Sequence, residues 1–186
     1  MEKTMEKRQV FAEKKEGLSV SDLLLIGVLL AAGIVLKFFV GSMFSVGMKP
    51  NFIIAMYCLI ILLIKPRIKE AFIIGVLAGA VCQFFPGTPY INLFSEPIGA
   101  VVAAMIVKIP LNIKKISLSP IVCTFLSTIC SGFSFILIMY AIFFTGSNVI
   151  PAPLGVFLGI IFGTAIINSI IVQILYMPLK LALKRN

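Results

Sequence analysis

Residues 49–86, KPNFIIAMYCLIILLIKPRIKEAFIIGVLAGAVCQFFP, decide the fold. Two apolar runs, near Phe52 to Ile64 and Ala71 to Phe85, flank a basic turn that carries Lys65, Pro66, Arg67 and Lys69. Pro50 precedes the first run and Pro86 closes the second; proline has no N–H and stops a helix, so each run reads as one short helix. A helix of roughly 13–15 residues at 1.5 Å per residue falls several Å short of a hydrocarbon layer about 30 Å thick. Non-helical backbone at that depth must be buried in protein or line a wet cavity, because lipid satisfies no N–H or C=O group. The polar turns GSMFSVGMKPN at 41–51 and FFPGTPYINLFSEP at 84–97 are therefore expected to fold back over a pocket, with local bilayer thinning as the competing reading.

The same pattern extends along the chain. Further apolar spans lie near 20–40, 96–107, 119–144 and 153–176, giving an all-α membrane protein of about six transmembrane helices. A composition that is 60% hydrophobic, with mean hydropathy +1.14, makes lipid the main solvent. Residues 1–17 form a charged tail, expected to be mobile and to lack the short apolar run and cleavage site of a secretory signal, and 18–186 form one membrane-embedded domain.

The chain carries 16 Lys+Arg against 7 Asp+Glu, a net charge of +9. In a soluble protein this would suggest nucleic acid, but here the basic residues sit at span ends. Lys65, Arg67 and Lys69, then Lys108, Lys114 and Lys115, then Lys180, Lys184 and Arg185 gather on one side, with mainly Lys37 and Lys49 opposite. By the bias of cytoplasmic loops toward Lys and Arg, both termini are expected in the cytoplasm and both polar turns outside, with no nucleic-acid partner.

Enzyme classes are poorly served. Histidine is absent, and after residue 22 the only carboxylates are Glu70 and Glu96, too few for a metal cage, a carboxylate pair or a nucleophile–base couple. No GxxxxGK[ST] phosphate loop occurs, so transport driven by nucleotide hydrolysis requires another subunit. Cys58, Cys82, Cys123 and Cys130 sit in apolar stretches without CxxC spacing and read as small core residues. No cofactor and no metal are expected.

A membrane carrier of a polar solute needs a few placed polar groups in an otherwise apolar cleft. Lys49 and Glu96 are the charged candidates near the outer face, able to complement the carboxylate and ammonium of a zwitterion. Lys49 snorkelling to headgroups and Glu96 favouring a helix N-terminus are the alternatives. Gln83, Asn92 and Asn168 are amides in apolar surroundings, each needing a partner on another helix or a ligand, and Tyr90 suits a pocket rim or an interfacial belt. Small residues spaced by four recur at Gly27/Ala31, Gly75/Gly79, Gly99/Ala103 and Gly155/Gly159/Gly163, with packing inside the bundle as the default and Gly27/Ala31 on the first span as the surface for a partner.

GMKPNF at 47–52, KPRIKE at 65–70, FFPGTPYINLFSEP at 84–97 and AIINSIIVQ at 165–173 together resemble the tryptophan-specific S component of energy-coupling factor (ECF) transporters. The resemblance runs from the first span to the last. It implies a six-helix S-component fold in the bacterial plasma membrane, binding of tryptophan from outside, and association with a transmembrane coupling subunit and two cytosolic ATPases. It also implies that the Gly27/Ala31 face docks on the coupling subunit. The sequence departs from the family pattern at Asn51, where that pattern has Asp, and at Ser95-Glu96, where it has Asp-Lys. An S component for another small aromatic or vitamin-like solute and a non-transporting membrane scaffold are the other readings; an ion channel lacks a charged ring or a filter motif.

Overall fold

A computed structural model of the chain describes residues 17–42, 50–85, 90–109, 111–113, 116–146 and 153–184. The described residues form six helices: α1 (Val20–Ser42), α2 (Ile53–Ile64), α3 (Ile68–Cys82), α4 (Ile91–Ile106), α5 (Ser119–Phe144) and α6 (Leu154–Ala182). A two-residue antiparallel pair, β1 (Asn112–Ile113) with β2 (Ile116–Ser117), lies between α4 and α5. The all-α architecture expected from the sequence is thus present. Val20–Phe39, Ser119–Phe144 and Leu154–Ala182 are long and apolar enough to cross a membrane, whereas Ile53–Ile64 and Ile91–Ile106 are shorter apolar helices.

Local chemistry sets the helix ends. Ser19 and Asp22 cap α1 reciprocally: Asp22 Oδ2 accepts from the Ser19 N–H at 2.8 Å, and the Asp22 N–H donates to Ser19 Oγ at 3.2 Å. α2 stops where Lys65 turns left-handed (φ 51°) and returns its N–H to the Ile61 carbonyl at 2.8 Å, directly before Pro66. Glu70 then accepts from the Arg67 N–H at 2.8 Å, so α3 starts at Ile68, earlier than the apolar run at Ala71 suggests.

α2 is the hub. Ile53 to Leu63 are all buried, and the helix touches each of the other five. α3, α4, α5 and α6 follow one another around it, each packed on the next, with α1 laid against α2. Because α2 meets protein on every side, it has no lipid stripe, and its 12 residues need not match the bilayer. The outward faces of α1 and α6 are instead apolar and exposed, through Leu24, Val28 and Phe38 on one and Ile170, Ile174 and Leu181 on the other.

Two of the small-residue ridges pack inside the bundle. A Cβ on Gly75 would lie 2.5 Å from Pro97 Cα, and one on Gly79 would lie 2.5 Å from the Asn92 carbonyl oxygen, so α3 and α4 are in backbone contact. Gly99 faces the Tyr57 hydroxyl, and Ala103 is fully buried. The row Gly155, Gly159 and Gly163 corrects the expectation of internal packing: among the described residues, no atom outside the helix's own backbone lies within 4 Å of a Cβ added at any of the three. Gly27 is likewise open, and Ala31 beside it is exposed.

Candidate functional site

The polar interior sits where α1 ends, α2 begins, α3 ends and α4 begins. Its centre is Glu96, 1% exposed. The second polar turn expected at 84–97 is helical from Ile91, so Glu96 is the sixth residue of α4, not its first, and its side chain enters the bundle instead of capping a helix end. Pro97 inside the helix explains the misplacement, because in a sequence it reads as a boundary; here the helix continues through it.

Donors from two other segments converge on the Glu96 carboxylate. Asn51 Nδ2 donates to Oε1 at 2.7 Å and Ser131 Oγ of α5 donates to Oε2 at 3.3 Å. Asn51 is held in turn: Asn168 Nδ2 of α6 donates to its backbone carbonyl at 3.1 Å, and Asn51 Oδ1 accepts from the Ile53 N–H at 3.3 Å. Asn168 also reaches Thr128 Oγ1 at 3.5 Å. Next to this group, the Tyr57 hydroxyl pairs with Ser127 Oγ at 3.3 Å, and Ser127 donates to the Gly99 carbonyl at 2.8 Å.

The satisfaction is incomplete. Asn168 Oδ1 and the hydroxyl oxygens of Ser95, Thr124 and Thr164 are buried without a hydrogen-bond partner among the described residues. An orphaned buried polar atom costs about 1–3 kcal/mol, and native folds hold only a few of them.

Lys37 of α1 borders the same cluster. Its side chain is 8% exposed, and Nζ donates to Cys82 Sγ at 3.2 Å while lying 5.1 Å from the Phe85 ring centroid. Cys82 Sγ in turn lies 3.7 Å from Asn51 Nδ2. The sequence reading placed Lys37 with the charges of a membrane face; the structure buries it.

The residues singled out from the sequence divide into two groups. Glu96 and Asn168 are brought together through Asn51. Gln83, Tyr90 and Asn92 are elsewhere, along the α3–α4 connection: Gln83 Nε2 donates to the Gly79 carbonyl at 2.9 Å and its Oε1 accepts from the Tyr90 N–H at 3.0 Å, while the Asn92 backbone packs on Gly79. Tyr90 is 67% exposed and Gln83 is exposed as well. Lys49 lies outside the described residues.

Lys37, Asn51, Cys82, Thr128 and Ser131 were not among the expected site residues. Two signals were present: a lysine inside an otherwise apolar span, and Ser127, Thr128 and Ser131 falling on one face of α5 at helical spacing.

A model of the tryptophan transporter TrpP family matches residues 19–184. The chain belongs to this family. It is a tryptophan-transporter membrane component, and a small-molecule substrate and a lipid bilayer as its surroundings follow from that membership. The match spans all six helices, so the polar cluster lies within the family's own domain and is no appendage. No curated protein and no solved structure matches the chain.

Proposed function

We propose that the chain is the substrate-binding subunit of an ECF-type importer in the bacterial plasma membrane. It takes tryptophan from outside and passes it inward with a transmembrane coupling subunit and two cytosolic ATPases. The observation that carries this reading is the Glu96 carboxylate, buried among donors from a loop and a neighbouring helix, with the unpartnered Asn168 Oδ1 next to Asn51. A buried carboxylate beside an unused amide acceptor suits a cationic group, and in a tryptophan carrier that group is the cargo's ammonium. Gln83, Tyr90 and Asn92 on the α3–α4 connection, and Lys49, two residues before Asn51 in the sequence, are assigned to cargo recognition in this reading. Six multi-pass helices with both termini in the cytoplasm put this end of the bundle outside.

In this reading the ATPase subunits supply the nucleotide hydrolysis, since the sequence carries no phosphate-binding loop. The test is uptake by proteoliposomes. Tryptophan accumulation is expected when the chain is reconstituted with an ECF coupling subunit and two ATPases and supplied with ATP, and not with the chain alone. Accumulation driven by the chain alone contradicts the reading.

A further inference from the structure

We propose that Lys37 holds the cargo's carboxylate inside the bundle. The inference rests on the tryptophan-carrier reading and assigns the anionic half of the ligand to a residue that the sequence pattern left at the membrane face.

Lys37 does not behave as a snorkelling lysine. It lies five residues before the end of α1 at Ser42, close enough to the bundle end for its stem to extend outward to water. Its ammonium instead turns inward to Cys82, itself 2% exposed. There it has three N–H donors to place; among the described residues its direct contacts are one thiol sulfur, a weak acceptor, and one aromatic face, with the Glu96 carboxylate attracting it from further off. That environment under-serves a buried ammonium, whose removal from water costs several kcal/mol unless an anion or good acceptors replace the lost hydration. The shortfall is the second observation alongside the orphaned Asn168 Oδ1: the ammonium feels its anion, Glu96, only across Cys82 and Asn51, and the other end of the cluster has a spare acceptor.

The order of the groups, cation at one end and carboxylate at the other, suits one small zwitterion. Lys37 Nζ, Cys82 Sγ, Asn51 Nδ2 and Glu96 Oε1 follow one another at 3.2, 3.7 and 2.7 Å, a chain of contacts from cation to carboxylate. An α-amino acid carries its own carboxylate and ammonium on a single carbon. Taking the place of the Lys37–Cys82 and Asn51–Glu96 contacts, it gives Lys37 a charge-assisted hydrogen bond at one end and Glu96 a cation in direct contact at the other. The Phe85 ring beside Lys37 adds an apolar surface for an aromatic side chain.

The experiment compares ligands within each variant, so that any loss of folded protein cancels. Tryptophan and tryptamine, which differ only by the carboxylate, are titrated into wild type, Lys37→Met, Lys37→Arg and Lys108→Ala in detergent. Wild type and Lys108→Ala should prefer tryptophan strongly, and Lys37→Arg should keep most of that preference. In Lys37→Met the ratio should fall about 30-fold or more, mainly through weaker tryptophan binding. Should Lys37→Met be poorly expressed, Lys37→Gln gives the same ratio with a neutral polar group. An unchanged tryptophan-to-tryptamine ratio in the uncharged variants overturns the assignment of Lys37. Wild type that binds neither ligand overturns the carrier reading instead, so the two failures are distinct.

Discussion

The Asn51 side chain donates to Glu96 Oε1 at 2.7 Å while the Asn51 backbone carbonyl accepts from Asn168 at 3.1 Å. One residue, at the entrance to the central helix, thereby couples α4 to α6.

Glu96→Gln retains the shape of the side chain but loses its charge. It should weaken tryptophan binding by about 2 kcal/mol or more, roughly 30-fold, while leaving indole-3-propionate, which has no ammonium, nearly unaffected. Isothermal titration of both ligands checks this; equal losses for the two would remove Glu96 from the ammonium subsite.

The glycines separate into two classes by what surrounds them. Gly79→Ala drives a methyl into the Asn92 carbonyl and the Leu93 Cα, backbone atoms that cannot rotate away, and should cost about 1–3 kcal/mol of stability. Gly159→Ala meets open space and should be neutral or gain up to about 1 kcal/mol from helix propensity. Thermal unfolding in one detergent compares them, and a Gly159 variant that melts lower than the Gly79 variant contradicts the packing described.

Gly27 and Ala31 face outward with nothing packed on Gly27, so leucines at both positions should not disturb the fold. If this face docks the coupling subunit, the double substitution should abolish co-purification of coupling subunit and ATPases while tryptophan binding by the isolated chain persists. Intact co-purification argues for a different docking surface, with the equally open Gly155/Gly159/Gly163 ridge the next to examine.

Lys49→Ala should weaken tryptophan binding well beyond Lys108→Ala, since Lys49 is joined through Pro50 to the Asn51 node whereas Lys108 is an exposed residue just after α4. Equal affinities for the two variants would remove Lys49 from cargo recognition.

The helix plan was legible because lipid exposure and helix breakers leave strong local marks. The ends of α2 at Pro50 and Lys65-Pro66 and the start of α5 at Ser119 agree with the structure. The start of α4 is hard to read from sequence, since a proline at the seventh position of a helix looks like a boundary and the polar INLFSE stretch looks like a loop. Glu96 and Asn168 stood out as polar residues in apolar surroundings. Lys37 did not, because a lysine near a span end has an inexpensive reading at the headgroups, and only the fold places Cys82 within reach. Asn51 and Ser131 were missed for the same reason: their importance comes from contacts 45 and 35 residues away in sequence.

The central claim is that this bundle itself binds tryptophan through its buried polar cluster. The chain contains no Trp, so indole fluorescence reports the ligand alone. Titration of purified wild type with tryptophan, beside thiamine, riboflavin and biotin, should give saturable one-to-one binding for tryptophan only. Absence of saturation with tryptophan, or tighter binding of one of the vitamins, would contradict the account.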